Sequence, residues 1–385
     1  MTVLLTAAVF SIGGIIYPYL FYPIVLWALR SVRHKSGGNV VGSKRRYRVT
    51  FVICVYNGER HIAQKLENVL GLNGFDESCE IIVVSDCSTD HTDAIVSTFL
   101  HPRVRLIRVP TRMGKANAEN YVLGDVTGDI VVFTDASTQM EKYALGPLLW
   151  HFADARVGCV STEDLIVTTD NESGRSEEGL YVRYEMLLRR FEADLGVLAG
   201  ASGSAYACRR ELAVEIPGNL TRDLHVPLLA KERGYVTISE PQAKCLIRTH
   251  RNVQSEFLRK IRTFTGGIDT LLYMKHMLNP FRYGFFAVAL LSHKLVRWTA
   301  PFLMAVALVS TGLLGIELRW ASVVFLMQVL GYGYCGLRHV LGRELGPRVL
   351  DTVYFFVLTN LAAGAAWVNH FRGKTFVTWT PTARS

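Results

Sequence analysis

Long apolar stretches at both ends of the chain flank a central region in which apolar and polar positions alternate. From Thr2 to Leu29 no residue is charged, and about 20 apolar residues are enough for a helix to cross a bilayer. We therefore predict one N-terminal transmembrane helix over residues 1–30. A cleaved signal peptide would need a basic start, a shorter apolar core and small residues at a cleavage site, and the sequence shows none of these.

The C-terminal apolar region is less uniform than the first. Residues 283–299 mix aromatic and aliphatic side chains with His293, Lys294 and Arg297. This mixture predicts an amphipathic helix that lies in the membrane interface, with its basic groups reaching lipid phosphates. Residues 300–371 follow with two clean apolar runs, joined by a short polar turn, and a third candidate run. They predict two to three further transmembrane helices.

The region between the spans, residues 49–282, is long enough for one domain with a core of its own. Its first half alternates helical runs with short β-rich runs, namely Val49–Val55, Glu80–Val84, Val104–Val109 and Asp129–Thr134. The alternation predicts an α/β domain with a Rossmann-like, mostly parallel sheet. Ligands of such sheets bind at the carboxyl ends of the strands, so the residues that follow each strand are the first candidates for a site.

Charge indicates which side of the membrane this domain occupies. Seven Lys or Arg and no acid lie from Arg30 to Arg48, six of them in a basic linker of residues 31–48. The positive-inside rule makes this side cytoplasmic. The net charge of +9 would permit nucleic-acid binding. The basic residues cluster beside the spans, however, where they meet anionic head groups, so no nucleic-acid partner is expected. The seven cysteines lack metal-ligand spacing, as in a reducing compartment.

Polar motifs follow three of the predicted strands. They read Val55-Tyr56-Asn57-Gly58-Glu59, Ser85-Asp86-Cys87-Ser88-Thr89-Asp90 and Thr134-Asp135-Ala136-Ser137-Thr138. Taken singly, Asp86 is as readily a turn former and Asp90 a helix N-terminal acid. Carboxylates at neighbouring strand ends repel one another unless a metal or a hydrogen-bond donor lies between them. The acids together therefore indicate a binding site.

In this order, the motifs closely resemble those of the family 2 inverting glycosyltransferases, whose catalytic domain has the GT-A fold. The resemblance extends over the whole central domain through Arg112-Met113-Gly114-Lys115-Ala116-Asn117-Ala118, Asp135-Ala136-Ser137, residues 178–196, Ala201-Ser202-Gly203-Ser204, Thr221-Arg222-Asp223-Leu224 and residues 259–262. The flanking spans are similar to those of membrane-bound polysaccharide synthases and ceramide glucosyltransferase. Each motif alone is weak, and the ordered set is specific.

The resemblance implies that the first motifs bind the nucleotide of a UDP-sugar. Tyr56 would pack on the base, and Asp86 would accept a hydrogen bond from the uracil edge, because a carboxylate accepts two donors at fixed geometry. The other donor-binding residues that it implies are Asn57, Glu59, Arg112, Lys115, Asp135, Arg259 and Arg262. Arginine forks suit phosphate oxygens, and Arg262 is the favoured partner of the diphosphate. A solvated helix start is the alternative for Arg112 and Lys115.

A divalent metal follows from the same resemblance. Asp135 matches the first Asp of the Asp-x-Asp motif, which binds the metal that neutralises the leaving diphosphate. Ser137 replaces the second Asp, and a hydroxyl is a poorer ligand than a carboxylate. We therefore expect Mg²⁺ or Mn²⁺ bound through Asp135, weakly, and with the donor's own phosphates as further ligands.

Inverting transfer needs a base on the acceptor side. Asp223 matches the Asp of the family's Thr-Glu-Asp motif and is the predicted base, with a helix N-cap as the structural alternative. The acid before it is replaced by Arg222, which could lower the pKa of the base. Ser202 and Gly203 are expected to contact the acceptor.

The C-terminal tail, residues 372–385, is aromatic and basic, and it is similar to the gating segments of polysaccharide synthases. Trp379 and Arg384 would then contact the bound donor. Three full crossings would leave the tail on the wrong side for this role. Either the run from Thr352 to Val368 is not a full span, or the tail is not a gate.

The predicted protein is an integral membrane glycosyltransferase of a bacterial inner membrane, with its catalytic domain in the cytoplasm. It would transfer a sugar from a UDP-sugar to a growing exopolysaccharide or capsule glycan. Thr263 stands where the family has a tryptophan that lines the acceptor path, which puts a processive enzyme in doubt. The alternatives are transfer of one sugar to a lipid acceptor and a catalytically silent scaffold that keeps the fold.

Overall fold

The computed structural model describes residues 1–32, 46–99, 101–167, 177–248, 253–342 and 349–378. Most of the basic linker lies outside these residues, as do Trp379 and Arg384, whose predicted donor contacts stay predictions. Every strand of the described chain lies within the predicted catalytic region 49–282.

Eight strands form one sheet in the order β3-β2-β1-β4-β7-β6-β8-β5. Their bounds are Val49–Val55 (β1), Cys79–Ser85 (β2), Val104–Arg108 (β3), Ile130–Asp135 (β4), Gln139–Met140 (β5), Val157–Val167 (β6), Ala205–Arg209 (β7) and Val236–Arg248 (β8). Strands β1 to β4 pair in parallel, and β7 runs antiparallel between β4 and β6. This α/β sheet confirms the predicted fold class.

The parallel strands are apolar because both faces of the sheet are covered. Every residue of β1 is buried; Phe51 and Ile53 face one core and Val52 and Cys54 face the other. The helices of the chain are Thr2–Ile16 (α1), Phe21–Val32 (α2), Ile62–Leu70 (α3), Thr92–Thr98 (α4), Lys115–Tyr121 (α5), Leu145–Trp150 (α6), Glu177–Asp194 (α7), Arg222–Glu232 (α8), Val253–Tyr273 (α9), Pro280–Tyr283 (α10), Phe285–Leu290 (α11), Arg297–Leu314 (α12), Arg319–Leu341 (α13) and Val349–Phe371 (α14).

The N-terminal apolar stretch differs from the single predicted helix. It forms α1 and α2, which meet at 54° and together are long and apolar enough for one broken span. Pro18 lies between them and Pro23 lies in the first turn of α2; proline lacks the N–H that a continuous helix needs. Beyond the bend, α2 packs on the catalytic domain, where the Arg30 guanidinium lies 2.5 Å from the Asp194 carboxylate.

The predicted interfacial helix over residues 283–299 is not a separate element. A π-helical segment, Leu291–Val296, joins α11 to α12, so that Phe285–Leu314 is one helical stretch of 30 residues that is long and apolar enough to cross a membrane. The mixed composition that suggested an interfacial helix marks the part of this helix that contacts the catalytic domain.

The basic residues of this segment bind carboxylates of α7 in the structure, and their contact with lipid phosphates stays a prediction. The two ring nitrogens of His293 lie 2.7 Å from Glu192 and 2.8 Å from Glu185. Arg297 donates to Glu185 at 2.9 Å, and the ammonium of Lys294 lies 3.9 Å from the same carboxylate. His293 is buried, so these contacts join the membrane helix to the catalytic domain.

Helices α12 and α13 form a hairpin, with the amide of Gln328 donating to the Thr311 hydroxyl at 3.1 Å. The start of α1 packs against the turn between them. The third C-terminal helix, α14, also passes the length and hydropathy criteria for a span.

Helix α14 lies side by side with α9. The Lys260 ammonium lies 4.6 Å from the ring centre of Phe355 near one end of the pair, and His370 bonds to Asp269 at 2.6 Å near the other. Helix α9 itself contacts the catalytic domain near both ends: Lys260 lies over the Tyr181 ring of α7, and Asp269 accepts a hydrogen bond from Asn219. Both ends of α14 therefore stay at the level of the catalytic domain.

Candidate functional site

The turns after β1 and β2 are joined to each other by hydrogen bonds. The side-chain oxygen of Asn57 accepts from the Thr89 N–H at 2.8 Å, and the Glu59 carboxylate accepts from the His91 N–H at 3.1 Å. In the opposite direction, Asp90 accepts from the Glu59 N–H at 3.1 Å. Asn57, Glu59 and Asp90 thus shape the rim of the predicted nucleotide pocket through hydrogen bonds between the two turns.

Asp86 is completely buried at the end of β2. Its two oxygens accept from the N–H groups of Met113, at 2.8 Å, and Gly114, at 3.0 Å. In the structure Asp86 therefore holds the loop that leads into α5. A carboxylate has about four acceptor positions, so the predicted hydrogen bond to a uracil edge stays a prediction.

Arg112 and Tyr56 form a stacked pair across the pocket rim, with the guanidinium carbon 3.8 Å from the ring centre. Arginine over an aromatic face is a favourable cation–π geometry. This contact places Arg112 beside the predicted base position, whereas the sequence suggested the phosphates as well.

Lys115 is the first residue of α5, and its ammonium lies 2.6 Å from Oδ1 of Asp135 at the end of β4. A second carboxylate, Glu119, lies one helical turn further on at 4.0 Å. Burial lowers the pKa of Lys115, but the two carboxylates outweigh burial and raise this pKa overall. Lys115 therefore stays charged at physiological pH.

The acceptor turn, Ala201-Ser202-Gly203-Ser204, connects Asp135 to Asp223. The carbonyl of Ser204 accepts from the Asp135 N–H at 3.1 Å, and the Ala201 N–H donates to the Asp223 carbonyl at 2.8 Å. A Cβ added at Gly203 would lie 3.2 Å from the Asp223 carboxylate, so glycine keeps the space beside that carboxylate open. Asp223 is also within electrostatic reach of Lys115.

Arg222 serves the interior of the domain. It is 5% exposed, its Nε lies 3.0 Å from Glu119, and it donates to the Val214 carbonyl at 2.6 Å. It also bonds to the side chain of Asn120. The contacts of Arg222 in the structure therefore give it a structural role, and its predicted effect on Asp223 stays a prediction.

The two arginines of α9 have different surroundings. Arg259 forms a two-fold hydrogen bond with Glu256, at 2.6 Å for each pair of atoms. Arg262 forms no hydrogen bond or ion pair with any residue in the described part of the chain. Burial, and then the neighbouring Arg259, lower the pKa of Arg262, while Asp135 acts in the opposite direction. Arg262 is thus a cation within electrostatic reach of Asp135 that is available to an anionic ligand.

The residues present fit a metal only together with a ligand that supplies further oxygens. Among the described residues, no group of three or more His, Cys, Asp or Glu side chains is placed to hold a metal ion. Asp135 offers one carboxylate and Ser137 a hydroxyl. Mg²⁺ is commonly held by one or two carboxylates plus substrate phosphates, so Asp135 and a donor diphosphate form a suitable set.

Two polar residues near the site were not predicted. Lys65 of α3 is fully buried beneath the Asp135 loop, where its ammonium donates to the Thr134 hydroxyl and the Thr138 carbonyl at 2.8 Å each. Burial lowers the pKa of Lys65 to about 8. In the sequence Lys65 falls on the apolar face of α3, at the spacing of Ile62, Leu66 and Val69, and a lysine at such a position was the signal available.

Asp164 of β6 is the second. Both of its oxygens lie within hydrogen-bond reach of the Ser202 hydroxyl, at 2.7 and 2.8 Å, and burial raises the pKa of its carboxyl group. Ser161, Thr162 and Glu163 directly precede Asp164 in β6, so no signal in the sequence singled out Asp164. Asp164 thereby fixes the acceptor turn from the side opposite Asp223.

The sheet and the helices packed around it have a GT-A-like fold. The family model "Glycosyl transferase family 2" matches residues 50–215, which are less than half of the chain. The match runs from β1 past β7, and it includes Asp86, Lys115, Asp135 and the acceptor turn.

Curated relatives match part of the chain. The succinoglycan biosynthesis protein ExoO of Rhizobium meliloti is 32% identical over 128 residues, which are 33% of this chain and 36% of that protein. The dolichyl-phosphate beta-glucosyltransferase ALG5C of Trichomonas vaginalis is 31% identical over 104 residues, 24% of this chain and 31% of that protein. The chain thus spans about a third of the length of these relatives.

A solved structure is similar over almost the whole chain. The mannosyltransferase PcManGT from Pyrobaculum calidifontis, solved with GDP-Man and Mn²⁺, aligns with a TM-score of 0.71 at 21% identity. The alignment covers 96% of this chain and 99% of that one. At this identity the likeness establishes the fold, including the arrangement of the catalytic domain with its apolar helices.

Proposed function

We propose that this chain is a membrane-bound inverting glycosyltransferase that moves a sugar from a UDP-sugar to a growing exopolysaccharide or capsule glycan. The observation that carries the proposal is the cluster of acids and cations at the strand ends. Asp135, Lys115 and Asp223 are linked there through the acceptor turn, and Arg262 lies within electrostatic reach of Asp135. Acids and cations at this edge of the sheet suit a sugar attached to a diphosphate.

In this proposal each group has one task. Asp223 takes the proton from the acceptor hydroxyl as the anomeric carbon is attacked, in the space that Gly203 leaves open. Arg262 and Lys115 bind the diphosphate and stabilise the charge that develops on it as the sugar leaves. A divalent cation, Mg²⁺ or Mn²⁺, bound to Asp135 and the donor, would supply further positive charge to the leaving group.

The second candidate is the transfer of a single sugar to a lipid acceptor. It is favoured by the helices packed against the catalytic domain and by the name of the dolichyl-phosphate glucosyltransferase among the relatives. The identity of the nucleotide also belongs to the proposal. The sequence favours uridine, while the similar mannosyltransferase was solved with GDP-Man.

The first test uses the full-length protein in lipid nanodiscs, supplied with labelled UDP-sugars and with GDP-mannose. We expect one of the UDP-sugars to support release of UDP and transfer of label to membrane-derived acceptor. Long labelled polymer would support glycan synthesis, and a single sugar on extractable lipid would support the second candidate. If no nucleotide sugar bound or stabilised the protein, the silent scaffold would replace both.

We further propose that α14 lies in the membrane interface and that the C-terminal tail returns to the catalytic domain. Support comes from the contacts of α14 with α9 near both ends. The backbone of Val377 lies so close to Gly114 that a Cβ there would overlap it. Helices α12 and α13 would then cross as a hairpin, and the tail could cover the donor site, as its predicted gating role requires.

Reporter fusions test this topology. Alkaline phosphatase, which is active only after export, is fused after Ser385 in one protein and inserted at Glu317, between α12 and α13, in another. We expect the first fusion to be inactive and the second to be active, because one crossing, α13, separates the turn from the tail. An active C-terminal fusion would show that α14 crosses the membrane and would remove the tail from the site.

A further inference from the structure

The carboxylate expected to bind a metal already has a cation as partner. The Lys115 ammonium and the Asp135 carboxylate are in contact at 2.6 Å. The backbone that leads into Lys115 is held in place because the preceding residue, Gly114, donates its N–H to Asp86. Asp135 also lies within electrostatic reach of two further cations, the buried Lys65 and Arg262. A free divalent cation that approaches Asp135 therefore meets a positive neighbourhood.

The second ligand position of the Asp-x-Asp motif adds no negative charge that would offset these cations. Ser137 contributes a neutral oxygen where the family has a second Asp, so Lys115 competes with a metal for a single carboxylate. Ion pairs that are also hydrogen bonds are among the stronger polar contacts in proteins. In the absence of other ligands, the Lys115 ammonium therefore stays bound to Asp135 and a metal ion does not displace it.

Lys115 also has somewhere to move when the donor arrives. Glu119 lies 4.0 Å away on the next turn of α5, and Arg222 keeps Glu119 in place with an ion pair at 3.0 Å. A diphosphate brings negative charge and oxygen ligands of its own. It can therefore attract both the ammonium and a divalent cation while Asp135 changes partners.

We propose that Lys115 is an internal counter-ion of Asp135, which keeps divalent metal from binding until a nucleoside diphosphate is present. The proposal rests on the proposed function, because it assumes that the donor binds in this cleft. It makes metal and donor bind as a coupled pair: the nucleotide raises the affinity for metal, and the metal must raise the affinity for nucleotide by the same factor. Lys115 is in this sense a positioning residue for the metal.

The test measures binding and does not need turnover. Mn²⁺ affinity is determined by electron paramagnetic resonance on the full-length protein in detergent, without nucleotide and with UDP. We expect the wild type to bind Mn²⁺ weakly alone and much more tightly with UDP. Lys115→Met is expected to bind Mn²⁺ alone about 10- to 100-fold more tightly than the wild type, the range for loss of a charged hydrogen bond.

Three further variants make the result specific. Lys142→Met removes an exposed lysine that lies over Tyr143, so it loses the same charge away from the cleft and should leave Mn²⁺ binding unchanged. Asp135→Asn added to Lys115→Met should abolish the gained affinity. Ser137→Asp, which keeps Lys115 and so does not depend on the folding of that variant, should raise Mn²⁺ affinity in the absence of UDP.

The proposal is overturned if the wild type binds Mn²⁺ equally well with and without UDP. It is also overturned if Lys115→Met and Ser137→Asp both bind Mn²⁺ no more tightly than the wild type. Failure of the proposed function gives a different result, since no nucleoside diphosphate would then bind to the wild type in titration calorimetry, whatever the metal.

Discussion

Replacing Asp223 with asparagine is expected to lower kcat for sugar transfer by roughly 10²–10⁴-fold, the usual contribution of a positioned base. The substitution keeps the shape of the side chain and removes its negative charge together with its capacity to take a proton. Donor affinity should change much less than kcat, because the Asp223 carboxylate accepts from the Leu224 N–H at 3.1 Å and its backbone carbonyl accepts from the acceptor turn. Single-turnover transfer and UDP titration on the same sample separate the two quantities.

Asp129→Asn is the matched control for this substitution. Asp129 lies beside the other end of β4, where its exposed carboxylate pairs with Arg48, so it loses the same charge far from the cleft. We expect this variant to retain full activity. Near-normal turnover by Asp223→Asn would mean that another group accepts the proton.

Replacing Arg222 with methionine is expected to destabilise the catalytic domain by about 3–5 kcal/mol, since it leaves the buried Glu119 without its partner. Both side chains of this ion pair are 3% exposed. For a domain of this size the loss corresponds to a fall in Tm of roughly 6–20 °C, measurable by intrinsic fluorescence. Without Arg222, Lys115 would be the remaining cation beside the Glu119 carboxylate.

Two comparisons define this stability effect. Arg156→Met removes an arginine from an exposed ion pair with Asp154, and it should change Tm little. Combining Arg222→Met with Glu119→Gln should recover part of the loss, because no buried charge is then left unpaired. A wild-type Tm for Arg222→Met would show that the buried pair contributes nothing to stability.

The parallel half of the sheet could be predicted because its strands are continuous apolar runs between turn motifs. Strand β1 is observed over the predicted residues Val49–Val55, and β4 ends at the predicted Asp135. The second half could not be predicted in the same way. Strand β7 pairs with β4 across about 70 residues of chain, and such a partner is not encoded in local periodicity.

The charged residues near the predicted membrane helices also have contacts that local sequence patterns could not predict. In the sequence, His293 and Arg297 sit within an apolar helix, and lipid phosphates are the natural partners for such residues. Their actual partner, Glu185, lies more than 100 positions earlier in the chain. Periodicity describes one helix at a time, so a polar contact between two distant helices has no local signature.

The candidate site was predictable where a motif names a residue and unpredictable where burial decides its role. Asp135, Lys115 and Asp223 are recognised from ordered motifs, and the structure places them close to one another. Lys65 is charged and fully buried, a combination too rare for the residue type to suggest. The partner of Asp164 is likewise set by how the acceptor turn folds back on β6.

The contacts of His293 with two glutamates make the anchor and the catalytic domain one mechanical unit. Separating the domain from this helix would leave the Glu185 and Glu192 carboxylates without His293 as a partner. Burying an unpaired carboxylate costs free energy, so the two parts stay together. If the proposed function holds, these side-chain contacts would fix the distance between the donor site and the lipid head groups, and an acceptor would have to bring its hydroxyl to that distance.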